Sequence, residues 1–211
     1  DLKKWMQDRS ELEAVLEENM AWRYIKMNID TSDPELQKSF QFFVKSISPN
    51  IASYAHGLNT KLMNSEHLKD LDAAYYFTYL RDIKNAIHLY REENIPLITE
   101  LTNKAQKFGE ISAQMMVQID GKDQTLQQAS VYLKSIDRDK RKAVFELINA
   151  RRTEDQTSLD GLLDELIVKR QEVARNANFE NFRDYKFQAM GRFDYTKEDC
   201  FDFHASIEKE I

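Results

Sequence analysis

The residues able to bind a metal ion are few and are spread along the chain. The four histidines are His56, His67, His88 and His204, and the only cysteine is Cys200. The zinc motif H-E-x-x-H is absent, and no histidine has a glutamate three positions before it, as di-iron bundles require. Cys200 and His204 lie one helical turn apart, but they supply only two of the four ligands that zinc usually takes. We therefore predict no metal-binding residue in this chain. The sequence also lacks a G-x-S-x-G elbow and a Gly-rich phosphate loop, so we predict no catalytic or cofactor-binding residue either.

A segment rich in arginine, aromatic and acidic residues, Arg170–Glu208, is the strongest candidate for ligand recognition. Its charged residues include Arg170, Arg175, Arg183, Arg192, Glu180, Asp184, Asp194 and Asp199. Because a guanidinium pairs with a carboxylate through two parallel hydrogen bonds, this composition fits a carboxylate-binding wall of a cleft. It also fits a network of ion pairs that ties short helices together, which is the interpretation we favour.

An aromatic group comprising Tyr75, Tyr76, Phe77 and Tyr79 has the side chains needed to stack on a ligand. Its spacing matches the apolar stripe that runs from Leu68 to Tyr90, so we expect these rings to pack in the core. His88 lies beside the same stripe and is read as a polar edge residue.

Composition and charge exclude several classes of protein. The 211 residues contain only 5 Gly and 3 Pro, which favours long helices. A net charge of -6 argues against a nucleic-acid partner, and the basic run Arg138–Lys142 is expected to be a solvated helix face. No apolar run is long enough to cross a membrane. The single cysteine fits a reducing compartment, so we expect a cytoplasmic protein.

Helical periodicity and capping residues divide the first half of the chain into helices. The predicted elements are a helix over Leu2–Met27, a second from Pro34 to Ile47 capped by Ser32 or Asp33, a third from Pro49 to about Asn64, a fourth capped by Ser65 and running to Tyr90, and a fifth starting at Pro96.

One segment of the second half alternates like a β-strand. Met115–Ile119 and Lys122–Leu126 flank Asp120-Gly121, the preferred turn of a two-residue hairpin. Further helices are predicted over Leu126–Leu133, Asp137–Arg152, Ser158–Ala177 and Asn181–Met190, and a last one begins after Thr196. Asp137 caps the second of these, and Thr196 caps the last one together with Asp199, three positions on. Asn178 is expected to end the third in a left-handed backbone conformation. The predicted fold is mainly α, a multi-helix array with one small β-hairpin near Met115–Leu126, and no linker divides it.

The stretch ARNANFENFRDYKFQAMGRFDYTKEDCFDFH, residues 174–204, resembles a segment of oligoendopeptidase F-like zinc metallopeptidases, which are related to thimet oligopeptidase. The upstream pieces RSELEAVLEENMAWRYI, DTSD, REENIPL, IDGKDQTLQQA and SIDRDKR also resemble that family. The one departure is Asn178, which stands where glycine is usual, and asparagine tolerates the same left-handed backbone.

The resemblance implies a parent enzyme that hydrolyses short peptides with a zinc ion polarising the scissile carbonyl and a glutamate acting as base. In such enzymes H-E-x-x-H and a third glutamate ligand lie downstream, and no position here matches them. The resemblance therefore implies that residues 1–211 are the N-terminal helical lobe of a larger zincin-type peptidase whose catalytic domain is absent. The lobe's partners would be peptide substrates and that missing C-terminal domain, and the chain alone would bind no zinc and be inactive.

Three further interpretations remain open. The hairpin at Asp120-Gly121 has exposed edges that would accept an extended peptide, although a structural connector is the favoured interpretation. The second interpretation is a free-standing helical protein-interaction module. It requires a last helix with a C-terminal stop signal, and Ser206–Ile211 carries no Gly, Pro or cap. A helical-bundle metalloenzyme is disfavoured by the scattered histidines.

Overall fold

The structure, a computed structural model, describes all residues from Asp1 to Ile211. Its helices are α1 Leu2–Ile29, α2 Pro34–Phe42, α3 Ser48–Met63, α4 Phe77–Leu89, α5 Asn94–Ala113, α6 Leu126–Ser130, α7 Arg138–Glu154, α8 Gln156–Asn176, α9 Phe182–Ala189 and α10 Lys197–Glu210. Strands β1 Met116–Ile119 and β2 Lys122–Thr125 form one antiparallel pair. The predicted fold class, mainly α with one small hairpin, is confirmed. None of the helices combines the length and the apolar composition that a bilayer span requires.

Two compact units make up the chain. The first comprises residues 1–17, 44–99 and 169–211, and the second comprises residues 18–43 and 100–168. The first unit has a core of Met6, Leu62, Leu71 and Ile83, against which Trp5 and other partly buried side chains pack. The second has a core of Val117, Ile119, Ala129, Val144 and Ile148.

Side-chain caps fix the starts of several helices where the sequence predicts them. Asp33 accepts hydrogen bonds from the backbone N–H of Glu35 at 2.8 Å and of Leu36 at 3.3 Å. Asp137 and Asn181 cap α7 and α9 in the same way. Thr196 and Asp199 form a reciprocal capping box at α10. Each cap satisfies N–H groups that the first helical turn leaves without a partner.

A π-helical turn over Phe43–Ile47 joins α2 to α3, where the sequence predicts an unbroken helix to Ile47. Pro49 has no N–H to donate to the carbonyl of Lys45, and in a regular α-helix its ring would clash with that carbonyl. A wider turn just before the proline relieves this conflict, and such insertions are a common cause of local helix distortion.

The predicted long helix from Ser65 to Tyr90 is wrong in its first half. Ser65 does accept a hydrogen bond from His67 N–H at 3.3 Å, but only a 3-10 turn follows, over Glu66–Asp70. The carboxylate of Asp72 then binds the N–H groups of Ala74 and Tyr75, both at 3.0 Å. This side chain competes with the helix for those donors, so α4 begins only at Phe77.

The hairpin turn uses the backbone that its sequence demands. Asp120 and Gly121 have φ values of 53° and 75°, as a two-residue hairpin turn with positive φ at both positions requires. Val117 and Ile119 of β1 are buried in the core of the second unit, whereas Met116 and Gln118 are exposed. The alternation predicted from the sequence is therefore real.

Candidate functional site

Asp184 of α9 is the centre of the only ion-pair network in the segment Arg170–Glu208 that joins two helices. Its carboxylate accepts from Arg183 Nε at 2.9 Å, Lys197 Nζ at 3.1 Å and Asn181 Nδ2 at 3.2 Å. The hydrogen bond from Arg183, followed by those from Lys197 and Asn181, lowers the pKa of Asp184 from 3.8 to about 2. The network ties the start of α10 to α9, so at this position the structural interpretation of the segment is the right one.

The arginines of the segment contact aromatic rings more often than carboxylates. The guanidinium of Arg183 lies 5.3 Å from the Phe201 ring centre, that of Arg192 lies 5.3 Å from Phe187, and that of Arg170 lies 5.8 Å from Phe182. A cation above an aromatic face is attracted by the ring quadrupole. These three arginines therefore do not converge on one carboxylate-binding wall.

Arg81 of α4, which the sequence did not single out, connects the aromatic group to the arginine-rich segment. Its guanidinium lies 4.4 Å from the Phe193 ring centre and 5.5 Å from that of Phe77. Its Nη1 donates to Asp194 Oδ1 at 3.2 Å, while its Nε is buried without a hydrogen-bond partner. We call Phe77, Arg81, Phe193 and Asp194 the Arg81 surface.

The aromatic side chains around the Arg81 surface divide into buried and exposed members. Tyr76 packs on the core of the first unit, as predicted, but Tyr75 is 80% exposed and Phe77 is 60% exposed. The expectation that all four rings pack inward is wrong for these two and also for Tyr79, which is 36% exposed and lies outside that core. Exposed aromatic side chains beside an arginine are typical of the energetic centre of a binding interface.

The histidines and Cys200 do not form a metal site, although Cys200 and His204 lie one turn apart on α10. His56 stacks on Tyr90 with ring centres 3.8 Å apart, His88 lies 6.2 Å from Phe179, and His67 lies 3.4 Å from Asp70. No group of three or more His, Cys, Asp or Glu side chains is placed to hold a metal ion. The residues of this chain therefore do not fit a zinc centre.

The hairpin is held to the helices behind it by polar contacts. Lys140 Nζ lies 3.3 Å from Asp120 Oδ2 and 4.6 Å from the Tyr132 ring centre. Gln124 donates from Nε2 to the Tyr132 hydroxyl at 3.1 Å. In the two-stranded sheet each strand has one neighbour, so the outer edges of β1 and β2 both present unpaired backbone groups.

Comparison with known proteins gives a family match and a fold match. Residues 1–90 match the family Peptidase M3 N-terminal domain. The fold is similar to that of a structure assigned as an oligoendopeptidase F from Bacillus anthracis str. Ames, with TM-score 0.81 and 23% identity over 88% of this chain. It is also similar to PZ peptidase A bound to an inhibitor, with TM-score 0.84 and 22% identity over 99% of this chain. No curated protein matches.

The matched part is a minor share of those structures. It covers 34% of the B. anthracis chain and 39% of PZ peptidase A. A further structure, assigned as an oligoendopeptidase F, matches 95% of this chain with TM-score 0.83 and 21% identity, and 37% of that structure is covered. The resemblance predicted from the sequence motifs is confirmed by these findings. The chain spans little more than a third of the length of the solved structures that share its fold.

Proposed function

We propose that this chain is the N-terminal lobe of a zinc-dependent oligoendopeptidase, that it shapes the cleft in which short peptides are hydrolysed, and that it is inactive alone. The observation that carries the proposal is the fold shared over 99% of this chain with 39% of PZ peptidase A, together with the match of residues 1–90 to the Peptidase M3 N-terminal domain. The cytoplasm is the compartment we propose, since the chain has a single cysteine.

The chemistry of the proposed enzyme belongs to polypeptide outside these 211 residues. A peptidase zinc needs three protein ligands and an open position for water, and no group of side chains here provides them. This chain would contribute the shape of the cleft and contacts to the peptide. Its helices would form one wall of a deep cleft and limit entry to short, unfolded peptides.

The apolar surface of α10 supports a lobe that packs against further polypeptide. Phe203 is 64% exposed, and Phe201 and Ile207 are 46% and 42% exposed on the same helix. Apolar side chains clustered at a surface mark sites of protein contact. In the proposed enzyme this helix would be covered by the catalytic part.

The proposal is tested with a quenched fluorescent peptide. The purified 211-residue protein and a longer form that includes the downstream coding region are each assayed with added zinc, and again with a chelator. We expect chelator-sensitive cleavage only from the longer form. Chelator-sensitive turnover by the 211-residue protein itself would disprove the assignment of the chemistry to other residues.

A free-standing helical protein-interaction module is the second candidate. Its support is the number of exposed apolar side chains, among them Ile136, which is fully exposed. The coding region distinguishes the two proposals: H-E-x-x-H encoded beyond Ile211 favours the peptidase lobe, and a reading frame that ends near Ile211 favours the module.

A further inference from the structure

A pocket of about 240 Å³ lies within the first compact unit, away from the Arg81 surface. It is lined by the start of α3, the end of α4, the start of α5 and Tyr185 of α9, and it opens to solvent. Apolar side chains make up most of its wall: Pro49, Ala52, Ala86, Leu89, Ile95 and Ile98.

Arg91 is the only charged residue that lines this pocket, and its guanidinium is held in place by backbone carbonyls. Nε donates to Asn176 O at 3.0 Å, and Nη1 donates to His88 O at 3.0 Å and to Tyr90 O at 2.6 Å. Nη2 makes no hydrogen bond within the chain. A fixed cation with donors to spare favours an anionic ligand, and Arg is the residue best suited to bind a carboxylate.

The aromatic and amide side chains of the wall are also fixed by contacts behind them. Tyr90 stacks on His56 with an interplanar angle of 9°, and Tyr185 packs edge-on against Phe179 at 5.6 Å. Asn94 is 2% exposed, donates to Val173 O at 2.9 Å and accepts from Asn176 Nδ2 at 2.8 Å. The pocket is therefore preformed, and a ligand would lose little free energy by ordering its walls.

The hydroxyl of Tyr185 supplies a second polar group. It makes no hydrogen bond within the chain, and burial raises the pKa of this hydroxyl, so it is a donor at neutral pH. Glu92 and Glu93 precede α5, but both are exposed and neither lines the pocket. Arg91 and Tyr185 thus both offer donors to a ligand, and the wall is otherwise mostly apolar, with Ser48, Asn94 and Thr99 as its other polar residues.

The size of the pocket limits the ligand further. Pockets for drug-sized molecules run from roughly 300 to 1,000 Å³, so this one has room for a single compact apolar group. We propose that it binds a small monocarboxylate carrying one aromatic or branched aliphatic group. The apolar group fills the pocket, and the carboxylate accepts hydrogen bonds from Arg91 Nη2 and the Tyr185 hydroxyl. The proposal goes beyond the peptidase function and does not depend on it.

A matched pair of probes tests this site by titration followed in ¹H–¹⁵N NMR spectra. N-acetyl-L-phenylalanine carries the carboxylate, and N-acetyl-L-phenylalaninamide replaces it with a neutral amide. We expect the acid to shift the resonances of Asn94 and Ile95 at millimolar concentration and the amide to bind about tenfold more weakly, since hydrogen bonds to a charged group are the stronger ones. Equal binding of the two, or no shift with the acid, would overturn the proposal.

Three variants locate the site without disturbing the core. Ala86→Leu fills the pocket from an exposed position of α4 and should reduce acid binding at least tenfold, whereas Ala189→Leu, exposed on α9 and outside the wall, should leave it unchanged. Tyr185→Phe removes only the hydroxyl and should weaken binding of the acid more than binding of the amide. Acid binding that survives Ala86→Leu would place the ligand elsewhere and contradict the assignment. No peptidase turnover enters these measurements, so their failure leaves the proposed function intact.

Discussion

Arg9 of α1 and Asn59 of α3 are joined by a hydrogen bond of 2.7 Å between Nη2 and Oδ1, and both side chains are buried. Arg9 Nε also donates to Glu13 at 2.7 Å, while its Nη1 is buried with no hydrogen-bond partner. Because one donor of this buried guanidinium already lacks a partner, the stability of the folded protein depends strongly on the hydrogen bonds that Arg9 still makes.

Asn59→Ala should therefore destabilise the protein by about 2 to 4 kcal/mol, because it leaves a second donor of the buried Arg9 unsatisfied. The shift of the urea unfolding midpoint measures the effect. Asn50→Ala is the matched control, since Asn50 lies on the same helix but is exposed and bonded only to the Ser46 carbonyl. A loss for Asn59→Ala no larger than that of Asn50→Ala would show that the buried pair contributes nothing net.

Two glycines should respond in opposite directions to alanine. Gly121→Ala forces a side chain into a backbone with φ of 75°, so we expect a loss of about 1 kcal/mol. Gly161→Ala lies inside α8, where an added Cβ meets nothing within 4 Å, so we expect a gain of about 0.5 to 1 kcal/mol. Thermal unfolding of the two variants against the parent protein provides the comparison. Stabilisation by Gly121→Ala would contradict the turn geometry.

The Asp184 network predicts a pH-dependent contribution to stability. The pKa of Asp184 is lowered from 3.8 to about 2, so its contribution is complete above pH 4 and is lost as pH falls towards 2. At pH 7 we expect Asp184→Asn to lose about 1 kcal/mol, less than the full shift implies, because the side chain is 25% exposed and partly screened.

Unfolding of the Asp184→Asn variant and the parent protein, followed from pH 7 to pH 2, tests that contribution. The difference between them should be constant down to pH 4 and disappear near pH 2. Asp202→Asn, on an exposed position of α10, is the control and should show no such step. A difference that persists unchanged at pH 2 would mean that the carboxylate charge is not its source.

The contact between Arg81 and Phe193 should appear as a coupling energy. A double-mutant cycle of Arg81→Met with Phe193→Leu should give about 0.5 to 1 kcal/mol, the usual size of a cation above an aromatic ring at a partly exposed site. Arg81→Met with Phe201→Leu should be additive, because Phe201 contacts Arg183 instead. Equal coupling in both cycles would show that the effect does not come from the ring contact.

Local signals in the sequence predicted the parts of the fold that local chemistry determines. Asp33, Asp137 and Thr196 cap helices as expected, since a short polar side chain before a helix binds its own neighbouring N–H groups. Asn178 has φ of 65° and ends the helical run as predicted. The hairpin turn was predictable for the same reason, because Asp-Gly carries its own backbone preference.

Features that depend on distant partners were not predictable. Arg9 lies among charged residues of α1 and reads as a surface side chain, and only the tertiary contact with Asn59 reveals that it is buried. Arg81 likewise has no local signal, since Phe193 and Asp194 are more than a hundred positions away. Helical spacing also gave a wrong prediction around Asp72, where the sequence pattern indicates one continuous helix. The apolar residues of the turn before Asp72 and those of α4 pack on the same core, so together they show a single helical period.

The π-helical turn at Phe43–Ile47 sets a limit on how this chain tolerates changes in length. A π turn holds one residue more than an α turn, so the side chains before and after it follow different rotational phases. Removal of one residue there would tighten the turn to α-helical pitch and return the clash between the Pro49 ring and the carbonyl of the preceding turn. The same deletion within α3 would instead swing every following side chain of that helix by about 100° and expose Leu62, which is now buried.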